Sequence, residues 1–205
     1  MKKNTKVQIF CDMDGVIVDF EGGVVDYINS DLEDESRVPK NMLKDYNALQ
    51  DKLNQIRKTQ KINIADLTKN SEKKIAAVRN YMYTRVSDDH KFWAELKWTS
   101  SGKNLWNFIK NASPQVIILT APMPGKGCYT GKKEWVKKNL GAQYKVIIEE
   151  DKFLYSGKNK LLIDDTYNKI IPWKEKGGLI IHHKNIKDTI SILKDESYER
   201  TIRKF

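Results

Sequence analysis

A short apolar run at residues 7–11 empties directly into two aspartates that flank one residue, Phe10-Cys11-Asp12-Met13-Asp14-Gly15-Val16. Two carboxylates held this close cannot both ionise cheaply. One is kept as an anion by a neighbouring cation and the other is driven toward the neutral acid. That split is what a nucleophile and a general acid require. Asp12 is the candidate nucleophile toward phosphorus, and Asp14 the candidate acid that protonates a leaving alkoxide and then activates water. An acidic strand-end turn or a bare metal site is the simpler reading of the same residues. Gly15 permits the sharp bend that must follow.

Three further apolar runs end in groups of matching type. In Leu161-Leu162-Ile163-Asp164-Asp165-Thr166 a second carboxylate pair follows a buried-strand pattern. Magnesium takes one or two carboxylates plus waters and phosphate oxygen. Asp12 and Asp164, with the carbonyl of Asp14, therefore form a candidate Mg2+ site, and Asp165 is expected to support it from outside by hydrogen bonding. In Ile118-Leu119-Thr120-Ala121-Pro122, the Thr120 hydroxyl and the following N–H, that of Ala121, are candidate phosphate donors. Phosphoryl transfer spreads charge over three oxygens, so a fixed cation beside them lowers the barrier. Lys152, just after a run at 145–148, is chosen for this on position, with Lys158 in reserve. Each group alone has an ordinary explanation as a cap or a strand-to-turn transition. Their joint order along the chain does not.

The elements that must carry these groups are short β-rich runs near 7–12, 116–120, 145–148, 161–164 and 179–182, separated by helical patterns near 103–111, 132–139, 167–176 and 185–195. Alternation of this kind implies parallel strands joined by crossover helices, and unbroken apolar runs imply a sheet covered on both faces. The expected fold is a three-layer α/β sandwich of about five strands. Strand ends in such a sheet open into the crevice where ligands bind. About a hundred residues separate the first two strands, far more than one crossover needs. An inserted module is expected at 23–90, with the core formed by 1–22 and 91–205. Met42, Tyr46, Leu49, Leu53 and Ile56 recur at helical spacing within it, and 75–83 offers a second amphipathic run.

In this arrangement Asp12-Met13-Asp14-Gly15-Val16, Thr120, Lys152 and Asp164-Asp165 resemble the four motifs of phosphatases of the haloacid dehalogenase (HAD) superfamily, in order over residues 6–183. The stretch at 12–23, Glu134-Trp135-Val136-Lys137-Lys138 and Leu161 to Asp165 are similar to the 5′(3′)-deoxyribonucleotidases. Ala121 stands where those enzymes usually carry Ser. The resemblance implies a HAD-type, Rossmann-like sheet, a helical cap after the first strand, Mg2+, an aspartyl-phosphate intermediate and hydrolysis of (deoxy)nucleoside monophosphates. By matching position Phe20 would face the base.

With 205 residues, 40% apolar and 31% charged, the composition is that of a globular chain with one substantial core. No apolar run reaches the ~20 residues of a membrane span, and the apolar stretch behind Met1-Lys2-Lys3 ends too soon for a signal sequence. Cys11 and Cys128 lack partners at zinc-ligand spacing, so reduced thiols in a cytoplasmic protein are expected. The net charge of +10 is uneven: residues 1–36 hold 3 basic and 9 acidic groups, and 37–110 hold 16 and 7. An acidic beginning suits a cation and a basic middle an anionic substrate, although solvated lysine faces produce the same count. The charge also suits two rivals to a small phosphorylated substrate: a polynucleotide 3′-phosphatase, and a nucleic-acid-binding module on an inactive fold. Glycines at 125, 127 and 131 lack P-loop spacing and read as an exposed turn. His182-His183 point to opposite faces of a strand and are taken as structural, as are Phe92, Trp93, Trp98 and Trp106.

Overall fold

The computed structural model describes residues 7–59, 76–113 and 115–194. Five parallel strands, β1 (Gln8–Cys11), β2 (Val116–Thr120), β3 (Lys145–Ile148), β4 (Lys160–Asp164) and β5 (Leu179–His182), form one sheet in the order β3-β2-β1-β4-β5. All five lie within a residue or so of the sequence expectation. Strand succession runs outward from β1 in one direction to β3, then resumes on its other side with β4. This reversal makes the carboxyl end of β1 the topological switch point of the sheet. Register places Cys11 opposite Ile118 of β2 and Ile163 of β4, so the residues just beyond β1 stand level with Leu119 and Asp164.

Among the described residues, contacts separate two compact units. The first lies within Met1–Asp19, Lys97–Pro122 and Lys133–Phe205, and the second within Phe20–Leu96 and Met123–Lys132. Eight helices run through the described residues: α1 (Phe20–Glu33), α2 (Leu43–Thr59), α3 (Ala76–Ser87), α4 (His90–Glu95), α5 (Gly102–Ala112), α6 (Lys126–Asn139), α7 (Tyr167–Glu175) and α8 (Ile186–Lys194).

In the first unit, alternate strand residues feed the two faces of the sheet. On one, Phe10, Leu119 and Leu162 pack with Ile170 and Trp173 of α7, and the Phe10 and Trp173 rings meet edge to face at 5.1 Å. Truncating a buried tryptophan of this kind costs about 3–5 kcal/mol. On the other face Ile9, Cys11, Ile118 and Ile163 are buried, as are Leu105, Trp106 and Ile109 of α5 at helical spacing and Leu193 of α8. Gly102 opens α5 because a Cβ there would lie 2.3 Å from the Ile17 carbonyl oxygen.

In the second unit α1, α2 and α3 enclose a buried acid. Asp31 accepts from Arg85 Nε at 2.9 Å and from the Tyr81 hydroxyl at 3.2 Å, and Arg37 Nε lies at 3.5 Å. Its carbonyl accepts from the Tyr46 hydroxyl. The expected run at 75–83 falls on α3 from Ala76 onward, with Ile75 outside the described residues. The segment read as an exposed turn instead begins α6, six residues before the expected start at 132. The Asp88 carboxylate caps it by accepting from the Gly127 N–H at 2.9 Å. Gly127 and Gly131 permit the close approach: a Cβ on either would lie 2.1 Å from the Asp88 oxygen or 2.5 Å from the Trp93 Cβ. No helix among the described residues is long and apolar enough to cross a membrane.

Candidate active site

Five of the residues singled out from sequence gather at the carboxyl edge of the sheet in the first unit. Asp12 follows β1, its N–H donating to the Ile163 carbonyl at 2.9 Å. The chain then turns tightly, since the Met13 carbonyl accepts from the N–H groups of Val16, Ile17 and Val18. Gly15 sits in the left-handed region at φ 74°. Val18 bridges to Trp98, and the Asp19 N–H donates to the Lys97 carbonyl, so the chain leaves and re-enters this unit at adjacent points.

Oxygen ligand atoms of Asp12, Asp164 and Asp165 lie within 4.8 Å of one another. The carboxylate of Asp14 is not one of this group, and the residue is half-buried on the turn. Lys152, on a short 3₁₀ turn (Lys152–Tyr155) after β3, is only 2% exposed and reaches both buried acids. Its Nζ is 2.9 Å from Asp12 Oδ1 and 2.6 Å from Asp164 Oδ2. Lys158, the reserve choice, is exposed. Asp12 Oδ1 also accepts from the Met13 N–H at 2.8 Å, and Asp164 Oδ1 from the Thr166 N–H at 2.8 Å. Thr120 is fully buried at the end of β2, one residue beyond the level of Asp12, and Ala121 follows half-buried.

Asp165, expected outside the metal site, stands with the other two carboxylates. Room for it exists because residue 15 has no side chain: a Cβ there would lie 2.2 Å from Asp165 Oδ2. No local pattern announces this. An Asp-Asp pair at a strand end suggests one inward and one outward side chain, and the bend after β4 overrides that alternation.

Charge in the cluster is unbalanced, with three carboxylates sharing one ammonium. Burial raises the Asp164 carboxyl above its ordinary range, the charge of Asp12 adds to this, and Lys152 opposes both. Asp165 is exposed as a residue, yet desolvation of its carboxyl against the cluster, then the charges of Asp12 and Asp164, push it up to about 6. Burial alone would lower Lys152, but the two aspartates more than reverse this, so its ammonium stays charged. Burial and the same negative field raise the Cys11 thiol, which leaves it inert as a nucleophile. A cluster of hard oxygen donors with surplus negative charge fits a divalent cation such as Mg2+, whose binding would relieve the repulsion that lifts Asp164 and Asp165.

In the second unit Phe20 is half-buried, its ring stacked on Trp93 at 5.1 Å and 10° and nearly parallel to Tyr83 at 6.3 Å. Lys132 Nζ lies 4.9 Å from the Trp93 ring centre on a residue only 1% exposed, a buried cation with no sequence signal beyond its lysine-rich surroundings. Phe92 and Trp93 are buried as expected, and Trp106 is buried in the first unit.

No family model and no curated protein matches the sequence. Solved structures do. YfnB of Bacillus subtilis, assigned as a HAD-hydrolase and solved bound to magnesium, superposes with a TM-score of 0.52 at 13% identity, covering 93% of this chain and 99% of that one. A HAD-superfamily hydrolase of subfamily IA, variant 1, from Geobacter sulfurreducens gives 0.51 at 10% identity, over 94% and 100%. A hydrolase from Streptococcus pneumoniae gives 0.51 at 11%, over 93% and 99%. Likeness at these identities is one of fold: the chain has the α/β architecture of HAD-superfamily hydrolases, with an acidic cluster at its sheet edge.

Proposed function

We propose that this chain is a Mg2+-dependent phosphomonoesterase working through an aspartyl-phosphate on Asp12. The observation that carries the reading is the buried Lys152 ammonium shared between Asp12 and Asp164, with Asp165 as a third, uncompensated carboxylate beside them. Lys152 and the Met13 N–H both hold Asp12 Oδ1, which leaves Oδ2 for the attack. Oδ2 forms a bond to phosphorus while the ester P–O bond breaks, and Asp14 supplies the proton that the leaving alkoxide takes up. Water then attacks phosphorus, Asp14 accepts its proton, and inorganic phosphate leaves with the Asp12 carboxylate restored. The Thr120 hydroxyl, the Ala121 N–H and Lys152 supply donors for the phosphate oxygens. Mg2+ on Asp12, Asp164 and the Asp14 carbonyl would supply charge neutralisation at those oxygens, and the position of Asp165 suits it to the same ion.

A (deoxy)nucleoside monophosphate is the substrate class favoured by the resemblance at 12–23 and by the basic stretch at 37–110, with 16 basic groups against 7 acidic. Phosphate release from deoxynucleotides, ribonucleotides, sugar phosphates and 3′-phosphorylated oligonucleotides, with and without chelator, tests the reading. Asp12→Asn should lower turnover by on the order of 10⁴-fold or more, as loss of a nucleophile does elsewhere. Equal rates in the variant and the parent would remove the covalent step. Turnover of oligonucleotides alone would favour the 3′-phosphatase.

A further inference from the structure

His182, which ends β5, and His183 just beyond it grip the backbone of Asp164, which ends β4, and of Asp165 just beyond it. The His183 N–H donates to the Asp164 carbonyl at 2.8 Å, continuing the β4 and β5 ladder, in which Asp164 pairs with His182. One residue on, the ladder cannot continue because the chain bends, and a side chain takes over: His182 Nε2 lies 2.9 Å from the Asp165 carbonyl oxygen. A carbonyl only accepts, so this nitrogen carries the hydrogen. The Asp165 carboxylate meanwhile occupies the gap over Gly15 that no other residue type would leave, since Oδ2 lies 2.2 Å from where a Cβ would stand. Asp165 is thus held at its carbonyl from β5 and at its carboxylate over the β1 turn. The ring of Tyr167, from the first turn of α7, stands 5.9 Å from that of His182 at 60° and limits where the imidazole can go.

We propose that His182 is a positioning residue for the acidic cluster: its Nε2–H bond to the Asp165 carbonyl fixes the 164–166 bend, and with it the carboxylate that completes the three-oxygen group. The proposal rests on the metal-binding part of the function proposed above. Groups that orient ligands from behind typically change metal affinity by 10–100-fold when removed. His182 acts through one backbone bond, which places the effect near the lower end of that range.

The test is calorimetric titration of Mg2+ into the intact chain, without substrate, so that binding rather than turnover is read. His182→Phe keeps a ring against Tyr167 and removes the donor, and it should raise the dissociation constant about tenfold. His182→Gln places an amide N–H near the position of Nε2 and should return it to within about threefold of the parent. If His182→Phe does not fold, judged by circular dichroism, the pair His182→Gln and His182→Met, similar in length and differing in the donor, carries the same comparison. Asp164→Asn is the control. A parent that binds Mg2+, an Asp164→Asn that loses it and a His182→Phe that binds like the parent would overturn the positioning role alone. So would a glutamine variant no better than phenylalanine or methionine. A parent with no Mg2+ binding would remove both this role and the metal-dependent reading of the site.

Discussion

Each unit buries a knot of charge, and the two differ in sign balance. Around Asp31 one carboxylate faces the guanidinium of Arg85, that of Arg37 and the hydroxyl of Tyr81, while the ring of Tyr27 lies under both guanidiniums at 4.8 and 5.7 Å. Around Lys152 one ammonium faces Asp12 and Asp164, and Asp165 adds a third negative group. The first knot is close to balance: buried Asp31 is met by the Arg85 guanidinium, with Arg37 at the exposed rim, and it ties three helices of one unit together. The second sets three carboxylates against one ammonium, an imbalance that the proposed Mg2+ would relieve. On the function proposed above, buried charge serves stability in one place and chemistry in the other, and the negative surplus distinguishes them.

The largest effect on folding should come from breaking the balanced knot. Asp31→Ala leaves two guanidiniums and a tyrosine hydroxyl without their acceptor, and removing one partner of a buried pair costs about 3–5 kcal/mol. Urea unfolding should show this as a lower midpoint. A loss below about 1 kcal/mol would mean that the guanidiniums hydrate freely and that the knot is a surface feature.

Mg2+ should discriminate between the two knots. At a hundred times its dissociation constant, a ligand that binds only the folded chain stabilises it by about 2.7 kcal/mol. The parent should gain this increment, Asp164→Asn should lose most of it, and Asp31→Ala should keep it in full despite its lower starting stability. EDTA should abolish the increment and excess Mg2+ restore it. If Asp31→Ala also lost the Mg2+ response, the two knots would be energetically coupled and their separate roles would have to be abandoned.

The distinction was only partly legible in the amino-acid string. The strands were, because continuous apolar runs such as Val116 to Leu119 have few alternatives to a doubly covered sheet. Asp12 and Asp164 were legible because each directly follows or ends such a run, and parallel pairing brings the ends of β1 and β4 together. Lys152 was chosen on position alone, and its burial across two carboxylates is a tertiary fact that lysine-rich surroundings conceal. The place of Asp165 depends on a missing Cβ at residue 15, a hundred and fifty residues away. The start of α6 was hidden for a similar reason: Gly125-Lys126-Gly127 has the composition of a turn, and the acid that caps the helix is Asp88, far back in the sequence. Asp31 and Arg85 gave no signal, since helical patterns carry charges at that density without burying them.

The smallest effect concerns the edge of the balanced knot, where the Tyr27 hydroxyl donates to Asp89 Oδ2 at 2.5 Å. Burial first, then the bond to Asp89, push the phenol up to about 12, so it remains a donor throughout the neutral range. Tyr27→Phe removes only that hydroxyl. The ring stays beneath Arg85 and Arg37, and Asp89 Oδ1 still caps α4 through the Phe92 N–H. The cost should be about 0.5–1.5 kcal/mol, that of one typical hydrogen bond. Because the folded-state pKa is raised, the hydroxyl's contribution is present at every pH below the unfolded value near 10 and is lost only above it. Urea midpoints of the variant and the parent should therefore differ by the same amount at pH 6 and pH 8. A difference that grew between those two values would mean that another group titrates against Tyr27, and the knot around Asp31 would then not be the closed, balanced one described above.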